Sequence, residues 1–308
     1  MWIRTLIPPS IPITERRSFD RVLRSCVTRL RTKDLQCIPS SLDEYDRELL
    51  RKTGATLKQI ACRAVGVDGE IFQDADRYQI GVIPITAGQG LLKGFTEAVQ
   101  AIGKHLGFLT FITKQPDVAG FGEAFERAAH ILVLADDKTF LAVNTVTRRV
   151  IDNAGATGRG FATALTMMGG NLRSKDVLII GVGRVGKSAA RTLMQMGAHL
   201  GLYDINQFSS RVVARELRGH PLSKVTVEAN LDEALSRYRI IFDASPGGKL
   251  ICSRHVTAQT LIAAPGIPLG LTWRARVKSS DRLLHDSLEI GVATMIVDAA
   301  YGSKKEIL

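Results

Sequence analysis

Gly181-Val182-Gly183-Arg184-Val185-Gly186 has the form G-x-G-x-x-G, and Asp204 follows about twenty residues later. The triplet signals a dinucleotide site only between a strand and a helix. That context is present: the apolar run VLII precedes it, KSAARTLMQMG follows as a helix, and Asp204 closes the apolar run LGLYD. Gly181 permits the tight turn, Gly183 lets backbone N–H groups approach a pyrophosphate, and Gly186 lets helix pack close to strand. Arg184 and Val185 lie within the turn, where the helix N-terminus offers partial positive charge to phosphates. An Asp204 carboxylate accepts from the adenosine ribose hydroxyls and repels a 2′-phosphate, so the expected cofactor is NAD rather than NADP.

Two later loops follow apolar runs and fall where doubly wound sheets place ligand contacts. In DASPGG (243–248), Ser245 and Pro246 are candidates to border a cofactor ribose; in APGIP (264–268), Pro265 and Gly266 are the candidates. The competing reading makes both loops plain chain reversals.

The elements that must position these groups follow from periodicity. Leu42, Tyr45, Leu49 and Leu50, then Leu57, Ile60 and Ala64, have helical spacing. Gly54 divides them into two helices, and Thr56 can cap the second. YQIGVIPIT reads as a buried strand, GLLKGFTEAVQAIGKHLG as a helix, FLTFIT as a strand, AGFGEAFERAAH as a helix and ILVLADD as a strand. FATALTMMGG is expected to be a connecting helix, and DVLIIGVG opens a second unit. Later strands are expected at HLGLYD, KVTVE, RIIFDAS, TLIAAPG and EIGVATM. The fold class is therefore α/β: a helical and α/β substrate domain over 32–155, then a Rossmann-type dinucleotide-binding domain over 156–302.

The chain has 308 residues and a net charge of +11. Much of the excess lies before Thr32, where seven arginines meet only Glu15 and Asp20. The remaining basic charge is dispersed without interleaved aromatics, so nucleic acid is not an expected partner. No uninterrupted apolar run is long enough to suggest a membrane span. Cys26, Cys37, Cys62 and Cys252 form no C-x-x-C pair and cluster with no histidines, so no metal is expected. Reduced thiols point to a cytoplasmic location.

The stretch from IGVIPITAGQG to LADDKTFLAVN, with GVGRVG, APGIP and EIGVATM, resembles the pyrrolysine synthase family over roughly residues 30–300. FITKQPDVAG and ADDKTFLA are its most specific pieces. The resemblance implies a small dipeptide-like substrate, L-lysine joined through Nε to 3-methyl-D-ornithine. It implies NAD-dependent oxidation of the terminal amine and then ring closure to pyrrolysine. Asp136 matches the family's active-site aspartate and is expected to face that amine as catalytic residue. Leu30, Phe95, Thr96, Asn153 and Thr157 match substrate positions, Leu30 at the start of a short helix that covers the site. A second copy of the chain is one expected partner.

Ala87, Val143 and the AGA of 154–156 depart from the family's pattern and alter substrate recognition before they alter the cofactor site. The segment 1–31 reads as a basic tail, disordered or an artefact of start assignment, with Val27 as an alternative start. Two other readings stand beside the first: a shikimate- or folate-type dehydrogenase, for which Lys93 lacks a surrounding motif, and a non-catalytic NAD-binding regulator.

Overall fold

A computed structural model describes residues 30–67, 74–88, 92–218 and 224–302. Nearly all of the expected basic tail, Gln89 and Gly90 of the first glycine turn and Leu91 lie outside the described residues.

The chain opens with three helices, α1 (Thr32–Gln36), α2 (Ile38–Thr53) and α3 (Leu57–Val65). Gly54 at φ +74° ends α2 in the left-handed region, and the Thr56 hydroxyl caps α3 by accepting from Gln59 N. Both features follow the sequence expectation. The buried side of α2 and α3, including Leu42, Leu49, Leu57 and Ile60, joins the main apolar core.

Next come β1 (Gln79–Ile83), α4 (Phe95–His105), β2 (Leu109–Ile112), α5 (Asp117–Glu126), β3 (Ile131–Ala135), β4 (Phe140–Asn144) and β5 (Val150–Asp152). They form a five-stranded sheet in the order β2-β1-β3-β4-β5. The first three strands are parallel, as alternation of strand and helix predicts. The last two are antiparallel additions, with Ala135 opposite Phe140 and Leu141 opposite Asp152. A direct hairpin joins β3 to β4. Because β5 runs with β3, the C-terminal ends of β1, β3 and β5 share one sheet edge.

Helix α6 (Asn153–Met168) leaves that edge at once, with the Asp152 carboxylate accepting from Gly155 N at 2.9 Å. It leads into β6 (Asp176–Ile180), α7 (Arg184–Gln195), β7 (His199–Tyr203), α8 (Gln207–Leu217), β8 (Val225–Val227), α9 (Leu231–Arg237), β9 (Ile240–Asp243), β10 (Leu261–Ala263), α10 (Trp273–Lys278) and β11 (Leu283–Leu284). The six strands are all parallel, in the order β11-β10-β9-β6-β7-β8. That is the doubly wound order, with its switch point between β6 and β9.

One expectation is corrected. EIGVATM is not a strand but the start of α11 (Glu289–Tyr301), a helix buried from Glu289 to Ala300. An element wrapped by protein on every side needs no polar stripe, so periodicity cannot separate it from a buried strand; length separates them. The sixth strand is the two-residue β11, too short to show a pattern. α11 packs against α6, α3 and α4 and against β4 and β5, so the C-terminal helix lies largely on the first sheet's side. The helix expected from Gly90 begins only at Phe95, after Gly94 at φ +91°.

Candidate active site

The glycine turn has the backbone that a dinucleotide requires. Gly181 sits at φ +82°, and a Cβ there would come within 3.0 Å of Ser245 backbone atoms. A Cβ on Gly186 would lie 1.9 Å from Gly181 O, so only glycine allows this approach of helix to strand. Gly183 is exposed, and a Cβ there would meet nothing within 4 Å, which leaves the start of α7 open to a phosphate. Asp204 stands at the end of β7. Its Oδ2 accepts from Val182 N at 2.9 Å and its Oδ1 from Asn206 N at 2.9 Å. Each oxygen keeps a second lone pair for a hydroxyl donor. Ile205, beside it, is 95% exposed. The glycine turn and Asp204 therefore fit a nicotinamide dinucleotide.

The loops after β9 and β10 converge on the turn. Ser245 is buried, and a Cβ on Gly266 would lie 2.3 Å from Ser245 O. Pro246 and Pro265 flank this contact on their respective loops, Pro246 exposed and Pro265 half-buried. Arg184 does not point freely at solvent: its guanidinium pairs with Asp152 at 2.6 Å. Val185 O lies 2.4 Å from where a Cβ on Gly158 would stand, and Ser188 Oγ donates to Gly155 O at 2.7 Å. The first turns of α6 and α7 are thus locked together, and the edge of the first sheet is tied to the glycine turn.

On that first sheet edge Asp136 follows β3 directly, as expected, and is exposed. Its Oδ1 accepts from Lys138 N at 2.8 Å and Thr139 N at 2.7 Å, which fixes the β3–β4 turn. Oδ2 makes no hydrogen bond among the described residues. The Asp137 carboxylate packs instead on Gly88 of the loop after β1. Phe95 opens α4 and stacks edge-on against Phe140, centroids 5.1 Å apart, while Thr96 donates to the Glu97 carboxylate at 3.0 Å. Helix α1 lies across this corner, with Leu35 and Gln36 against Gly94. Asp34 is also near enough to act on His285, beyond β11. Leu30, just before α1, packs on the core.

Asn153 and Thr157 stand on the same side of α6, joined by a 3.2 Å hydrogen bond. Both touch Gly291 in the first turn of α11. Asn153 Nδ2 is buried without a hydrogen-bond partner among the described residues. Two strand spacings, about 10 Å, separate the ends of β3 and β5, so Asp136 and Asn153 share one edge.

Sequence reasoning missed the polar cluster at the start of α11. Tyr45 of α2 donates to Asp286 Oδ2 at 2.6 Å, and Glu289 accepts from Ser287 N and Leu288 N. Burial, reinforced by the Glu289 charge, holds the Asp286 carboxyl well above the usual carboxylate range. Burial likewise raises the Tyr45 phenol, with the Asp286 charge adding to it. His285, pushed down by burial, donates from Nδ1 to Ala264 O at 2.6 Å. HDSLE carries these groups in the sequence, but the apolar run after it fits a buried strand as well as a buried helix.

An α/β domain ahead of a doubly wound sheet, with a glycine turn at the switch point, is the architecture of the two-domain nicotinamide-dependent dehydrogenases. Residues 34–151 match the family described as pyrrolysine biosynthesis protein PylD, N-terminal domain. Residues 150–254 match the alanine dehydrogenase/PNT C-terminal domain. The chain is 31% identical to a pyrrolysine synthase of Methanosarcina acetivorans over 268 residues, 87% of this chain and 97% of the relative. It is 29% identical to one of Methanosarcina barkeri over 263 residues, 85% and 94% of the two chains. Among solved structures, a shikimate dehydrogenase from Aquifex aeolicus superposes with a TM-score of 0.50 at 14% identity, covering 72% of this chain and 91% of that one. At that identity the likeness concerns the fold. The chain belongs to the pyrrolysine synthase family.

Proposed function

We propose that the protein oxidises the terminal amine of L-lysine-Nε-3-methyl-D-ornithine with NAD and lets the product close to pyrrolysine. The observation that carries this reading is the common sheet edge. It offers a carboxylate with one uncommitted oxygen, Asp136, and an unpartnered buried amide nitrogen, Asn153 Nδ2, beside a turn tied through Asp152–Arg184 to the dinucleotide loop.

A primary ammonium must lose a proton before its carbon can give up hydride. In this reading Asp136 Oδ2 anchors the ammonium and takes that proton. The bound nicotinamide supplies the hydride acceptor. Asn153 and Thr157 hold the lysine carboxylate or amide, and Phe95 with Thr96 walls the pocket under α1. Fixing the dipeptide at both ends brings the α-amine of the ornithine unit to the oxidised carbon. The ring closes with net release of ammonia, and effective concentration drives the step. NAD is preferred because the Asp204 carboxylate, held by two backbone N–H groups, would oppose a 2′-phosphate. The boundary between substrate and cofactor domains is taken at residues 155–156.

The test is incubation of the full chain with lysyl-Nε-3-methyl-D-ornithine and NAD, following NADH absorbance and product mass. NADH formation with a product lighter by ammonia and two hydrogens supports the reading. Bound NAD with no turnover of that dipeptide refutes it.

A further inference from the structure

Asp243, the last residue of β9, is fully buried, yet its Oδ2 has no hydrogen-bond partner among the described residues. Oδ1 does all the visible work, accepting from Ser245 N at 3.1 Å and from Ser245 Oγ at 2.6 Å. Oδ2 faces Gly270 so closely that a Cβ there would stand 1.9 Å away. Leaving one oxygen of a buried carboxyl unpaired is costly, and a structural turn would be served as well by a neutral acceptor. The residue it holds is the one on which three strand-end loops meet. Gly181 of the loop after β6 closes on Ser245 Cα and N, and Gly266 of the loop after β10 closes on Ser245 O.

We propose that Asp243 is a positioning residue of the cofactor seat, acting through Ser245 to hold the β9 loop where the glycine turn and the 264–268 loop can both close on a dinucleotide. This rests on the reading that Ser245 borders the cofactor, and it is independent of the amine chemistry. Burial pushes the Asp243 carboxyl up to about 6. The charged residues on the elements packed against it are Asp176 on β6, Arg184, Lys187 and Arg191 on α7, Lys249 in its own loop, and Arg274, Arg276 and Lys278 on α10, which follows Gly270. None forms an ion pair with it. The loop closed over a cofactor is drier still and favours the protonated acid. Raising the pH through about 6 therefore weakens closure.

The experiment measures dissociation constants of NAD and NADH separately on the full chain, with no amine present, from about pH 5 to about pH 8. In the unaltered protein both constants rise together with pH, by about tenfold, since a one-unit pKa difference between open and closed loop corresponds to a factor of ten. In Asp243→Asn, which keeps an oxygen acceptor but no charge, they are flat. Asp243→Ala is flat with pH and weakens both forms about tenfold at about pH 5, where the unaltered protein binds best, and Ser245→Ala weakens them less there; circular dichroism and Tm restrict the comparison to folded protein. If Asp243→Ala does not fold, the pH profile of Asp243→Asn decides. Unaltered constants in Asp243→Ala, or a pH slope in Asp243→Asn equal to that of the unaltered protein, overturn the proposal. So does a pH effect on the oxidised form alone, which would make Asp243 a direct charge contact. Normal, Asp243-dependent cofactor binding without turnover of the dipeptide would sink the proposed function and leave this inference standing.

Discussion

The two sheet edges that carry the candidate groups are built on different plans. The dinucleotide edge takes its defining groups, Gly181 to Gly186 and Asp204, from one strand–helix–strand unit, and they are fixed by backbone contacts such as Val182 N to Asp204. The edge proposed for the substrate draws on α1, the start of α4, the β3–β4 turn, the start of α6 and the residues before α11. Several of its groups are fixed by side chains meeting across the fold, Phe95 on Phe140 and Tyr45 on Asp286, beside the local Thr157–Asn153 bond within α6. A site written into one local unit tolerates little change in its glycines. A site assembled from five places can lose chemistry while the fold and the cofactor remain.

Five substitutions would break or sharpen that contrast. The largest effect is expected from Gly186→Val, whose side chain has no space against Gly181 O. Overpacking of that kind costs about 1–3 kcal/mol or more and should abolish measurable dinucleotide binding. Tight binding in this variant would contradict the turn geometry. Asp136→Asn should bind NAD within about twofold of the unaltered protein and lose about a hundredfold or more in kcat, the usual scale for removing an acid–base group. Steady-state rates alongside a cofactor titration decide the point, and ordinary turnover would remove Asp136 from the mechanism.

Tyr45→Phe removes the donor to a buried Asp286 oxygen and should lower stability by about 1–3 kcal/mol while sparing cofactor affinity. Asp286 also sets a direction with pH. Its carboxyl is raised in the folded state, so its favourable contribution is complete below about pH 4, the unfolded value, and is lost as pH rises through the folded one. Denaturant titrations of Asp286→Asn should therefore show a smaller loss of stability above about pH 4 than the unaltered chain, and an equal loss would assign it to other groups. The smallest effect belongs to Arg184→Ala. Its guanidinium is 60% exposed, so loss of the Asp152 pair should change stability by less than about 1 kcal/mol. A drop beyond that in thermal melts would mean the pair holds the two edges together more firmly than an exposed ion pair can.

Legibility followed the same division. The helices meeting at Gly54 and Thr56, the alternation of β1 to β3 and the glycine turn were readable because each is a local pattern with a local cause. The β4–β5 pair was not anticipated, since an antiparallel hairpin added to a parallel sheet is chosen by the face it covers. α11 was misread because complete burial erases the polar stripe that marks a helix. Asp136 is expected from family likeness and its place after an apolar strand; nothing in the sequence says that one of its oxygens closes its own turn. Tyr45 with Asp286 could not be paired from sequence, because 241 positions separate them.

The sequence by itself determined the doubly wound unit and its dinucleotide loop, because strand, glycines, helix and acid lie within a short stretch and each acts on its neighbours. Only the tertiary structure decided that Asp136 and Asn153 share one sheet edge, with the start of α11 against Asn153, that Arg184 is drawn to Asp152, and that Asp243 is buried with an oxygen unpaired among the described residues. Those facts depend on which surfaces are excluded from water together, and desolvation is a property of the packed chain rather than of any segment in it.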